Sequence, residues 1–129
     1  MTHIHTYLLV ALGGAAGACM RYSATQLVGR WAGHGFPFGT MAVNVAGSFC
    51  MGVLVIWLAS KAGGGQPLRL LFATGLLGGF TTFSAFSLDA YTLMTRGLYS
   101  QAGLYMAGSL IIALAALVAG VWAGRLLWA

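Results

Sequence analysis

The sequence predicts an all-α integral membrane protein of four transmembrane helices, the third of them broken near its middle. Three observations predict it. The 129 residues are 60% hydrophobic and only 5% charged, with a mean hydropathy of +0.89, whereas a soluble domain carries about 25% charged residues. Four apolar stretches each reach the ~20 residues a helix needs to cross hydrocarbon. Inside the third stretch a Gly-Gly pair is followed closely by Thr-Thr, a place where the chain can leave helical geometry.

The spans run over about residues 7–28, 38–59, 70–94 and 101–126. The connectors, 29–37, 60–69 and a few residues around 96–100, are too short to fold alone. The chain therefore reads as a single membrane domain over 1–129, with its function inside the lipid bilayer. The N-terminus has no basic run ahead of its first apolar stretch, and that stretch is long enough to span, so no cleaved signal peptide is expected. Each span carries small residues four apart: Gly13 with Gly17, Ser48 with Gly52, Gly75 with Gly79, Gly120 with Gly124. Small-xxx-small spacing lets helix backbones approach closely in lipid, and its recurrence in all four spans predicts tight packing.

The net charge of +5 does not point to nucleic acid. The basic residues Arg21, Arg30, Lys61, Arg69, Arg96 and Arg125 are isolated, and nucleic-acid binding needs a clustered patch. Basic residues in short loops set membrane orientation. With four spans, Lys61, Arg69 and Arg125 share one side, and Arg30 and Arg96 the other, where Arg21 can snorkel. The near-even tally gives no preferred orientation, so two opposed copies can pair about a two-fold axis. Four short helices also leave little room for a solvated path within one subunit, which favours a path built at an oligomer interface.

Polar groups inside spans are functional candidates. The third span holds Gly78-Gly79-Phe80-Thr81-Thr82-Phe83-Ser84-Ala85-Phe86-Ser87. Either it breaks, and freed carbonyls at membrane depth need protein, water or a cation, or it stays helical with its hydroxyls bonded to the preceding turn. Phe83 and Phe86, three apart, share a face, as do Ser84 and Ser87. Those rings are either lipid-facing or core, or they turn positive edges to an anion. Asn44 in the second span is either interhelical glue or a pore-lining donor. Tyr105 and Ser109, a turn apart in the fourth span, can donate to an anion, although a Tyr near an interface is commonly an anchor.

Asp89 is the sole acid. Its position favours pairing with a basic side chain, Arg21 being the candidate. His3, His5 and His34 lie outside the expected spans at no ligand spacing. Cys19 and Cys50 read as small buried hydrophobes rather than a disulfide or metal pair. There is no Ser-His-Asp set, paired carboxylate, phosphate loop or His/Cys cluster, so an enzyme is not expected.

Several motifs together resemble the CrcB/Fluc family of bacterial fluoride channels. They are Gly13-Gly14-Ala15-Ala16-Gly17-Ala18 followed by Arg21-Tyr22; Gly39-Thr40 with Val43-Asn44 and Gly47-Ser48-Phe49; and the third-span run from Gly78 to Ser87. The resemblance covers nearly the whole chain in order. It implies an antiparallel, dual-topology homodimer in the bacterial plasma (inner) membrane, with two fluoride pathways along the subunit interface. It also implies a central sodium ion (Na+), held by the backbone carbonyls of Gly78 and Thr81. By position, Phe83 and Phe86 would be the pore phenylalanines and Asn44 the pore asparagine, with Tyr105, Ser109, Ser84 and Ser87 on the polar track. Arg21 and Asp89 would be structural. Three positions depart from the pattern: Ala85 stands where Thr is frequent, Ala113 where the fourth-helix hydroxyl track continues, and Asp89 where Glu is usual. The expected function is passive, fluoride-selective export that limits cytoplasmic toxicity. A small proton-coupled multidrug exporter is the first rival, but it needs a carboxylate usually placed in the first helix, and none is there. A non-transporting assembly subunit is the second.

Overall fold

The computed structural model describes residues 3–61 and 65–128. Four helical segments in it are long and apolar enough to cross a membrane: His3–Ala32, Phe38–Ala59, Gly65–Thr95 and Tyr99–Trp128. We call the first two α1 and α2. The third comprises α3 (Gly65–Leu68), a π-helical stretch (Arg69–Leu77), α4 (Gly78–Phe80) and α5 (Phe83–Thr95); the fourth is α6 (Tyr99–Trp128). Hydropathy located all four. The first, third and fourth overrun their expected bounds because hydropathy marks the lipid-matched part of a helix, while backbone signals end it. Thus α1 begins at His3, taking in His3 and His5, and runs to Gly33, whose φ of 79° stops it with the Gly33 N–H on the Gly29 carbonyl at 3.0 Å. α5 ends at Gly97, φ 76°, in a Schellman turn: Gly97 N–H donates to Met94 and Leu98 N–H to Leu93, both at 2.9 Å.

The helices pack in two glycine-lined pairs. α1 lies on the N-terminal half of the third span, and α2 lies along α6. A Cβ on Gly17 would strike the Leu76 carbonyl, and one on Gly75 would lie 2.9 Å from the Gly13 Cα. Between α2 and α6, a Cβ on Gly52 would strike the Leu117 carbonyl and one on Gly120 the Phe49 carbonyl. Gly124 sits against Ile56. Seven of the eight small residues expected at helix contacts are therefore packed backbone to backbone or against a side chain. Ser48 is the exception: its neighbour Gly47 is the buried one, set against Thr81 and the Phe80 ring. Gly120→Val is expected to lower the thermal midpoint of the purified protein. Overpacking typically costs about 1–3 kcal/mol, and here the obstacle is backbone. A valine at Gly14, which has open space, should leave the midpoint unchanged.

A small core joins α5 to the start of α6: Ala90, Leu93, Ala102 and Tyr105, flanked by Phe36, Met41 and Phe86. Apart from Val43 and Leu77, which are also buried, the chain turns most of its large apolar side chains outward, and only 11–17% of each span's apolar window is buried inside it. Lipid, or another protein surface, must cover the remainder. Cys19 and Cys50 are on that outer surface, contrary to the burial expected of them. Both stand off the glycine faces through which α1 and α2 pack.

Candidate functional site

The third span departs from helical geometry at two residues. Thr81 (φ −84°, ψ 158°) and Thr82 (φ −153°, ψ 123°) are extended between α4 and α5. Two local features end α4 and start α5. The Thr81 hydroxyl and N–H both turn back to the Leu77 carbonyl, at 2.9 and 3.0 Å. Thr82 caps α5, its Oγ1 accepting the Ala85 N–H at 3.1 Å.

Asn44 of α2 holds the extended pair in place. Its Oδ1 accepts the Thr82 N–H at 2.7 Å, and its Nδ2 donates to the Thr82 carbonyl at 2.9 Å. One side-chain amide thus takes both backbone groups of one residue, as a neighbouring β-strand would. One turn on, Gly47 lets the break lie directly on α2.

Backbone polar groups at membrane depth must be satisfied, so each carbonyl released here can be followed. The helical donor for Gly78 would be the Thr82 N–H, which goes to Asn44. The donor for Thr81 would be the Ala85 N–H, which goes to the Thr82 hydroxyl. The Gly79 carbonyl accepts from Arg21 Nε at 3.1 Å. Among the described residues no donor replaces those lost by Gly78, Phe80 and Thr81. Of these, the Gly78 and Thr81 carbonyls, with Gly78 itself exposed, are oxygens of the kind a hard monovalent cation takes.

Below the break lies a cavity of about 310 Å3, lined by Asn44, Ser48, Thr81, Thr82, Phe83, Phe86, Ser109 and Ala113, with apolar Met51, Leu110 and Leu117. Three helices supply its polar and aromatic groups. The Phe83 and Phe86 rings are 5.4 Å apart, inclined at 41°, and Phe83 is 79% exposed on the subunit surface. Ser109 is 6% exposed, and its hydroxyl has no hydrogen-bond partner among the described residues. Buried hydroxyls are almost always paired; this one, on a residue that lines the cavity, is not.

Tyr105 is not on that wall. It is fully buried, stacked obliquely on Phe86 at 5.2 Å and edge-on to Phe36 at 5.6 Å. Its hydroxyl donates to Asp89 Oδ2 at 3.2 Å. Asp89 lines a second, more polar cavity of about 280 Å3, together with Thr25, His34, Thr40, Thr92 and Arg96. Tyr105 lines neither cavity but touches a wall residue of each, Asp89 through its hydroxyl and Phe86 through its ring. Ser84 and Ser87 are exposed and outside both: Ser84 Oγ is 3.3 Å from Thr82 Oγ1, and the Ser87 hydroxyl donates to its own helix at Phe83, 2.9 Å.

The pairing of Arg21 with Asp89 is not formed. Arg21 lies on the α1 face of Gly13 and Gly17, eight and four residues before it, which packs on the N-terminal half of the third span. Asp89 is on α5, facing α6. Thr82 is the functional residue that sequence reasoning passed over. A Thr just ahead of an apolar helical run is an N-cap signal, and it was legible there.

Residues 8–121 match the family model described as CrcB-like protein, Camphor Resistance (CrcB). The chain is 51% identical over 125 residues to a protein of Paracoccus denitrificans named fluoride-specific ion channel FluC, covering 97% of this chain and 98% of that one. Proteins with the same name from Hyphomonas neptunium (49% over 124 residues, 95% and 98% covered) and a Chelativorans species (52% over 118 residues, 92% and 94%) are similarly alike. With its four spans, its glycine-paired helices and this match over nearly its full length, the chain is a multi-pass membrane protein and belongs to the CrcB family.

Proposed function

We propose that the protein is one subunit of a fluoride-selective passive channel of the bacterial plasma membrane, releasing fluoride down its gradient. The relatives, named fluoride-specific ion channels, support the ion, and Ser109, its hydroxyl unpartnered among the described residues and lining one cavity with the Phe83 and Phe86 rings, carries the site. Fluoride is small and strongly hydrated. A path for it must offer donors that replace water, yet no single deep well. The Ser109 hydroxyl, the second Asn44 amide hydrogen and the positive ring edges meet that demand without a fixed charge. The polar cavity at Asp89 and Arg96 would be one mouth, with Thr40 and Tyr105 between it and the inner cavity.

The working unit is an antiparallel homodimer of dual topology. The even charge tally supports it, as does the outward face of Phe83. So does the cation site: the Gly78 and Thr81 carbonyls of one subunit leave most of a sodium ion's coordination open, and a second copy would double them. When bound, sodium would tie the two breaks together and supply fixed positive potential near the anion path. Chemistry on the ions is not involved, and the protein is a channel rather than an enzyme.

Anion efflux from liposomes holding the purified protein tests the reading. Rapid fluoride efflux with little chloride efflux is expected. Equal rates for the two anions, or none for either, would refute it.

A further inference from the structure

Arg21 is the one basic side chain of another helix that hydrogen-bonds to the third span, among the described residues. It sits half-buried, with Nε on the Gly79 carbonyl at 3.1 Å, fifty-eight positions away in sequence. A guanidinium inside a membrane segment is costly and normally faces an acid, water or backbone carbonyls. The only acid of the chain is engaged elsewhere, by Tyr105. Arg21 is aimed instead at one of the consecutive carbonyls, Gly78 to Thr81, that the break releases.

We propose that Arg21 is a positioning residue of the break: by taking the Gly79 carbonyl, it fixes the α4 end so that the neighbouring Gly78 and Thr81 carbonyls are the ones presented to a cation. The proposal rests on the reading of those two carbonyls as a sodium site. Three side chains then take four of the released backbone groups and leave the Gly78, Phe80 and Thr81 carbonyls free. Asn44 takes both groups of Thr82, the Thr82 hydroxyl takes the Ala85 N–H, and Arg21 takes Gly79. Gly17, four residues before Arg21 on the same face, lets α1 come close enough for the contact; a Cβ there would lie 2.9 Å from the Phe80 nitrogen. Without Arg21, the Gly79 carbonyl becomes a further free acceptor beside them and α4 loses its hydrogen bond to α1.

The sign of the sodium response separates positioning from plain electrostatics. A guanidinium near a cation repels it, so a role through charge alone predicts tighter sodium binding once the charge is removed. Positioning predicts weaker binding. The experiment is amide hydrogen exchange over residues 78–87, on the purified full-length protein in nanodiscs. Sodium is titrated against N-methyl-D-glucamine for wild type, Arg21→Met, Arg21→Lys, and Arg30→Met as an exposed control. In Arg21→Met, exchange at saturating sodium should rise roughly tenfold, and the sodium concentration for half-protection should rise by a similar factor. Arg21→Lys should recover part of both effects, and Arg30→Met should match wild type. Wild-type exchange in Arg21→Met, or a lower sodium midpoint, overturns the proposal. If wild type does not respond to sodium yet Arg21→Met exchanges faster, the tie between Arg21 and the break stands and the sodium reading falls. Should Arg21→Met not yield folded protein, Arg21→Gln, a neutral donor, takes its place with the same criteria.

Discussion

Asn44→Ala is expected to abolish most fluoride efflux and to destabilise the subunit. The substitution removes both bonds to Thr82. Each backbone group left unpaired at membrane depth costs about 1–3 kcal/mol. The cheapest escape is for the Thr82 N–H to return to the Gly78 carbonyl, closing the helix across the break. That would consume one of the two carbonyls assigned to the cation and swing Phe83 and Phe86 about the α5 axis. Efflux should fall by tenfold or more, given that ~1.4 kcal/mol of added barrier is tenfold in rate. Asn44→Asp separates the two functions of the amide. Its carboxylate can still accept the Thr82 N–H but faces the Thr82 carbonyl with like charge, and it adds a negative charge beside the anion cavity. It should lose flux at least as severely as Asn44→Ala while keeping part of the protection of the Thr82 amide from exchange. Undiminished efflux in both variants would remove Asn44 from the pathway and from the break.

The second large effect is expected at the rings. Phe83→Ile and Phe86→Ile keep an apolar side chain of similar bulk but delete the positive aromatic edge. Each should reduce fluoride efflux roughly tenfold, equivalent to ~1.4 kcal/mol at the barrier, while the protein still elutes as wild type does. The two substitutions differ in what else they disturb. Phe83 is 79% exposed in the subunit, so its loss acts on the pathway and on whatever covers that face. Phe86 also packs on Tyr105 at 5.2 Å, so its loss loosens the core joining α5 to α6. A lower thermal midpoint is therefore expected for Phe86→Ile than for Phe83→Ile. Unchanged flux in both would take the rings out of the path.

The Ala residues at 85 and 113 acquire a plain reading from the geometry. Ala85 contributes its N–H to the Thr82 cap, which any side chain at that position would allow. Ala113 is on the wall of the inner cavity, one turn beyond Ser109. The hydroxyl track of α6 thus stops at Ser109, and the wall beyond it is apolar through Ala113 and Leu117.

The sequence by itself determined the solvent, the number of spans and the inventory of polar groups within them. It could do so because lipid acts on segments: a helix crosses hydrocarbon or does not according to the summed character of about twenty consecutive residues. The glycine contacts were legible for the same reason, since one side of a helix repeats every three or four residues. Arg21 was legible as a basic side chain near the end of its span, with Asp89 the expected partner, and Asn44 as an amide inside its span; the partners they take were not. Those lie 58 and 38 positions away, and Tyr105 and Asp89 are 16 apart. Distances of that order carry no periodicity, and each donor had several acceptors open to it along the chain. Only the packing of α1 on the third span through Gly13 and Gly17, and of α2 on the break through Gly47, selected Gly79 for the arginine and Thr82 for the asparagine. Tertiary structure also separated groups that look equivalent in sequence. Ser87 spends its proton on its own helix, where a polar side chain in lipid finds the nearest carbonyl, while Ser109 faces a cavity wall with its proton unspent.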